Sequence, residues 1–222
     1  MAFFFLSSKK GIFVNFIEDP MPLLKISKIN DQVAFALWQI DEELEELISQ
    51  YELSAADQKI LAETKIEQRK KEWLSARLAL NALVAYYGLG SGLVYKDDFG
   101  KPHLKNGKAH ISISHTKGIG AAAISFRGPV GIDVEHPRAQ ILRIAKKFLH
   151  SSEVAAQDSL EALTQIWAGK EALYKLHGRT QLIFAEQLLV QSQQGTIIEE
   201  GMVSKHTLHF GKEASALICV AY

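Results

Sequence analysis

Two short runs carry the side chains with most to offer chemistry. In Val130–Gly131–Ile132–Asp133–Val134–Glu135 the residue types alternate, so a strand would bury Val130, Ile132 and Val134 and set Gly131, Asp133 and Glu135 on its other face. Two carboxylates held side by side repel, and a cation relieves them. Hard oxygen ligands suit magnesium, which takes few protein carboxylates and completes its shell with water and phosphate oxygens. Gly131 would leave room for a ligand beside them. A solvated strand edge shows the same alternation, so the strand alone leaves both readings open. The second run is Trp167–Ala168–Gly169–Lys170–Glu171–Ala172–Leu173–Tyr174–Lys175. Glu171 and Lys175 lie four apart and share a helix face; alone they describe a surface ion pair worth about 0.3–0.5 kcal/mol. Beside the paired carboxylates they add a third oxygen ligand and a cation suited to phosphate.

Elements must position these groups. Val33 to Ile40 reads as a strand, Asp41 to Gln50 as an acidic helical stretch, and Ser54 as a helix cap. A long helix is predicted from about Lys65 to Tyr87, ended by the Gly88–Gly92 cluster. Gly100–Lys101–Pro102 closes a turn-rich loop. His110 to His115 alternates, with Ile111 and Ile113 on one face and His110, Ser112 and Ser114 on the other. Gly118 and Gly120 mark a turn, and Ala121 to Phe126 returns as its partner. After Val130–Glu135 comes a helix with Ile141, Ile144, Ala145 and Phe148 on one face, then a stretch capped by Ser151 or Ser152. A longer helix runs from about Leu160 to Leu176, and strands follow, clearest at Thr207–Phe210 and Leu217–Ala221. The order of strand, short helices, long helix and strands thus occurs twice. The fold class is α+β: two similar halves related by a pseudo-twofold, each a small antiparallel sheet packed with helices, with the active site in the cleft between them. Their boundary falls near residues 127–130, giving an N-terminal half at 21–127 and a C-terminal half at 128–222. Residues 1–20 read as an appendage.

Composition narrows the function. The 222 residues carry 25 Lys plus Arg and 25 Asp plus Glu, for a net charge of zero, and 47% are hydrophobic. That balance argues against nucleic-acid binding, which needs a basic excess. Cys219 is the only cysteine, which rules out an internal disulfide or a Cys-based metal site and fits a cytoplasmic setting. No run approaches the ~20 apolar residues needed to cross a membrane.

Together, Gly131–Glu135 and Trp167–Lys175 resemble the paired signature of the 4'-phosphopantetheinyl transferases, in their longer, two-halved branch. The resemblance extends to Gly100–Lys101–Pro102 and Ile113–Ser114–His115–Thr116, in the expected order, and covers most of residues 50–190. It implies transfer of the 4'-phosphopantetheine arm of coenzyme A to a serine of an apo acyl or peptidyl carrier protein, with release of 3',5'-ADP. On this resemblance Asp133, Glu135 and Glu171 would hold Mg2+, Glu171 would also be the base, and Lys175 would neutralise the pyrophosphate. Lys101 would lie near the nucleotide. Ser114, His115 and, on the long first helix, Arg77 would contact the 3'-phosphate, and Lys170 a phosphate. The carrier is expected near residues 136–160, with Lys146 and Lys147 as contacts, and the chain is expected to be a monomer. A non-catalytic binder of coenzyme A or carrier protein, and a magnesium-dependent nucleotide phosphohydrolase, are the alternative readings. Gly169 and Glu153 receive no role from the sequence.

Overall fold

The strands at Val33–Gln39, Ile119–Ser125 and Ala216–Ala221 are buried on both faces, and the structure, a computed structural model describing residues 24–179 and 181–222, shows what covers each face. The expected appendage at 1–20 lies outside the described residues. In the first half, β1 (Leu24–Lys28) and β2 (Val33–Gln39) lead into α1 (Leu44–Ser49), α2 (Ala55–Glu63) and the long α3 (Glu67–Tyr86). The hairpin β3 (Val94–Lys96) and β4 (Pro102–Leu104) follows, then β5 (His110–Thr116) and β6 (Ile119–Ser125). The second half runs through β7 (Gly131–Glu135), α4 (Gln140–Phe148), a 3₁₀ turn (Ser151–Ala156), α5 (Leu160–His177) and α6 (Phe184–Gln187). It ends in β8 (Leu188–Gln191), β9 (Gln194–Glu199), β10 (Met202–Glu213) and β11 (Ala216–Ala221).

The architecture is α+β, built on two antiparallel sheets. The first has the order β1-β2-β6-β5 and the second β7-β11-β10-β9-β8. Strand alternation sorts each into two apolar faces. Ala34, Ala36 and Trp38 of β2 pack under α3 with Leu74, Leu78 and Leu83. Val33, Phe35 and Leu37, one residue out of phase, meet Ile132 and Val134 of β7 and Ile218 and Val220 of β11. On the far side Leu217, Cys219 and Ala221 pack with α5. The layers are therefore helix, sheet, sheet and helix, and the two halves share a buried core.

Both long helices lie very close to their sheets. A Cβ on Gly120 would meet Ala76 N at 2.3 Å, and one on Gly131 would meet the Ala172 carbonyl at 1.9 Å. Gly120 is thus a strand residue under α3, with the positive φ of the turn confined to Gly118. Gly131 admits the α5 backbone and not a ligand, which corrects the sequence reading. Two other expectations change. Ile144 is 36% exposed and stands off the buried face made by Ile141, Ala145 and Phe148. The cap expected at Ser151 or Ser152 is His150, whose Nδ1 accepts the Ser152 N–H at 3.2 Å, while α5 starts from Ser159.

Candidate active site

β5 and β7 run side by side where the sheets meet, and their polar residues tie the halves together. Ser112 Oγ accepts the Ile132 N–H at 3.0 Å, and Ser114 Oγ donates to Asp133 Oδ1 at 2.9 Å. Lys175, in the last turn of α5, donates from Nζ to the same Asp133 Oδ1 at 2.7 Å, to Ser114 Oγ at 2.8 Å and to the Ile132 carbonyl at 3.1 Å. Asp133 is only 4% exposed, and its other oxygen, Oδ2, is buried without a hydrogen-bond partner.

Glu135 and Glu171 feel this buried charge. Burial first, then Asp133 and Glu135, push the Glu171 carboxyl up to about 7, against the pull of Lys175. Burial, then Asp133, also raises Glu135, while Arg138, 3.2 Å from its Oε2, opposes the rise. Three mutually repelling carboxylates and one orphaned oxygen form a donor set that fits a hard divalent cation. Among the described residues no three His, Cys, Asp or Glu side chains converge into a ready coordination cluster. Lys175 holds one Asp133 oxygen, and Arg138 engages Glu135.

A cavity of about 290 Å³ opens beside this cluster, lined by Arg77, Lys96, Lys101, Ser114, His115, Lys175 and Arg179, with Trp73, Phe99 and Tyr174 as aromatic walls. The structure therefore gathers Arg77, Lys101, Ser114, His115 and Lys175 from four separate stretches of sequence around one space. His115 is half-exposed and lies 3.4 Å from Glu72; burial lowers its pKa more than Glu72 raises it. Lys101 lines the cavity, but its Nζ is spent on the carbonyls of Lys175 and Leu176, at 2.8 and 2.6 Å. Burial pulls its ammonium down to about 8.

Lys170 is absent from the cavity lining. It is fully buried and donates to the Phe148 and Phe184 carbonyls at 2.6 and 2.9 Å, and it pairs with Glu153 at 2.7 Å. Adjacent helix residues point in different directions, so Lys170 and Glu171 cannot serve the same face. This supplies the role that sequence reading could not give Glu153, which also accepts the Val190 N–H at 2.7 Å. Gly169 has a similar explanation: a Cβ there would meet Val190 Cγ2 at 2.8 Å, so only glycine lets β8 lie against α5. Sequence reading missed Asp57, Glu72, Lys96, Arg138 and Arg179. Of these, only Asp57 left a local signal, three residues after the capping Ser54.

A carboxylate cluster with an unpaired oxygen, set against a cavity rimmed by cations, suits a phosphate-bearing ligand held through a metal ion. Comparison with known proteins gives the family. The profile described as 4'-phosphopantetheinyl transferase superfamily matches residues 129–220, and that of the 4'-phosphopantetheinyl transferase N-terminal domain matches residues 56–125. The chain belongs to the 4'-phosphopantetheinyl transferase superfamily, in the longer branch that carries the N-terminal domain. It is 30% identical over 126 residues, half of this chain and 51% of the relative, to a Synechocystis sp. protein provisionally named a 4'-phosphopantetheinyl transferase. It is 29% identical over 108 residues, 46% of this chain and 45% of the relative, to the 4'-phosphopantetheinyl transferase gsp of Aneurinibacillus migulanus. The matched segments span about half the length of these relatives. No described helix is long and apolar enough to cross a membrane.

Proposed function

We propose that this chain transfers the 4'-phosphopantetheine group of coenzyme A to a serine of an apo acyl or peptidyl carrier protein. The serine oxygen attacks the phosphorus that bears the pantetheine, the bridging P–O bond breaks, and 3',5'-ADP leaves with the electron pair. One observation carries the reading: in a member of this superfamily, the unpartnered Asp133 Oδ2 lies buried beside Glu171, whose pKa is raised to about 7.

The chain's own residues divide the work. Asp133, Glu135 and Glu171 would hold Mg2+, which when bound supplies charge neutralisation at the pyrophosphate. Magnesium needs few protein ligands, so carboxylates that do not close a cage of their own are enough. A carboxyl titrating near neutrality is suited to take the serine proton, directly or through a water, and this is the role of Glu171. Lys175 stabilises the negative charge that develops on the leaving oxygen. Arg77, Ser114 and His115 bind the nucleotide end, and Phe99 offers an exposed ring beside it. Lys101 shapes that wall by holding α5 in place.

The carrier docks on α4, where Lys146 and Lys147 meet its acidic surface beside the exposed Leu142 and Val154. The core that joins the two sheets is closed within one chain, which supports a monomer. A lone buried Cys219 supports a cytoplasmic setting.

Mass spectrometry of an apo carrier protein incubated with this chain, coenzyme A and magnesium tests the reaction. One added phosphopantetheine is expected, abolished by chelator and reduced by about 10²–10⁴-fold in Glu171→Gln. A gain that persists in Glu171→Gln moves the base elsewhere. No gain with several carriers, alongside measurable coenzyme A binding, favours the non-catalytic binder.

A further inference from the structure

Arg77 is an unusual side chain in this cleft. It is 5% exposed, its Nε has no hydrogen-bond partner, and it lines the cavity. A buried guanidinium costs a great deal unless something holds and compensates it. Here the support comes from a ring and a carboxylate. The Arg77 guanidinium carbon lies 3.6 Å from the Trp73 ring centroid, so one face is stacked on an indole one turn earlier in α3. Tyr51 meets that indole edge-on, with centroids 6.1 Å apart at 90°, and fixes the ring. Asp57 Oδ1 lies 3.9 Å from Arg77 Nε, too long for a hydrogen bond but close enough to balance the charge.

Asp57 is itself locked. Its Oδ2 accepts from the Ser54 hydroxyl at 2.7 Å and from the Ser54 N–H at 3.1 Å, in the capping box that starts α2. The cap therefore turns Oδ1 toward the arginine. A charge held on one side by a fixed carboxylate and on one face by a fixed ring keeps its remaining N–H groups for the cavity.

We infer that Asp57, Tyr51 and Trp73 are positioning residues that preset Arg77 to receive a phosphate of coenzyme A, so that nucleotide affinity is set partly from α2, outside the cleft. This rests on the proposed function, in which that phosphate is the 3'-phosphate. The geometry ties the effect to donor binding and not to the chemical step, because none of the three reaches the carboxylate cluster.

The test compares the dissociation constants of coenzyme A and 3'-dephospho-coenzyme A by calorimetry, for wild type, Asp57→Asn and Arg77→Lys. Asp57→Asn keeps the capping geometry and removes the charge, and thermal melts confirm that each variant is folded. The expected result is a wild-type preference for coenzyme A that falls roughly tenfold in Asp57→Asn and as far or further in Arg77→Lys. In the transfer assay the same Asp57→Asn change raises KM for coenzyme A with kcat unchanged. An unchanged preference in folded Asp57→Asn overturns the inference, as does a wild type with no preference between the two donors. Binding is read without turnover, so a wild type that shows the preference and its loss in Asp57→Asn, yet modifies no carrier, upholds the inference and sinks the proposed reaction instead.

Discussion

At the scale of single residues, strand and helix geometry place the carboxylates and Lys175, and the close approach of neighbouring elements dictates the glycines beside them. The alternation that puts Asp133 and Glu135 on one face of β7 depends only on strand geometry, and the i, i+4 spacing of Glu171 and Lys175 only on helix geometry. Gly131 was legible as a glycine that something approaches, but the approaching group is the α5 backbone, some 40 residues away in sequence by the numbering of the two elements. Lys170 shows the same limit, because its partners Glu153, Phe148 and Phe184 lie on separate elements that no local pattern connects. Gly131→Ala is expected to destabilise the protein by about 3 kcal/mol or more, since the new methyl would collide with backbone on a helix that cannot yield. Gly128→Ala, where a Cβ meets nothing within 4 Å, should change stability by less than about 0.5 kcal/mol. Denaturant melts of the two variants check this, and equal losses would mean that α5 does not sit as tightly on β7 as the structure has it.

Elements show why a correctly read turn can still hide its purpose. The Gly100–Lys101–Pro102 turn and the stop of α5 at Gly178, with φ of 74°, are both visible in sequence. That they meet is not. The Lys101 chain packs on Gly178, where a Cβ would lie 2.3 Å from its Cδ, and its ammonium caps two of the last carbonyls of α5. The helix that carries Glu171 and Lys175 is thus held at its end by the other half of the molecule. Burial lowers the Lys101 pKa from 10.5 to about 8. Between these values the unfolded chain holds a proton that the folded chain has shed, so the Lys101 contribution to stability grows as pH rises from 8 to 10.5. Below pH 8 both states are protonated and the cost of burying the charge is carried in full. The difference in unfolding free energy between wild type and Lys101→Met should therefore increase between pH 7.5 and 9.5, a comparison that cancels all other titrating groups; a flat or falling difference contradicts the assignment.

For the whole molecule, the sequence shows two halves but not how they join. The repeated order of strands and a long helix could be read, yet β2 carries apolar residues at every position from Val33 to Trp38, so no polar face indicates which side meets solvent. Neither side does. Val33, Phe35 and Leu37 complete a core whose other wall is Val130, Ile132, Val134, Ile218 and Val220, and separating the halves would expose both walls at once. Lys25 and Glu213, and Ser114 and Asp133, add polar ties across the same junction. The site depends on this union, because Asp133 and Lys175 come from one half and Ser114, His115 and Arg77 from the other. If the shared core is as continuous as the packing indicates, the halves cannot unfold separately, and calorimetry should show one transition with a calorimetric to van't Hoff enthalpy ratio near one. Ile218→Ala, in the middle of that core, should cost about 2–5 kcal/mol and lower the single transition without splitting it. Two resolved transitions, with only the later half shifted by Ile218→Ala, would show that the halves are independent domains and that the site between them assembles only when both are folded.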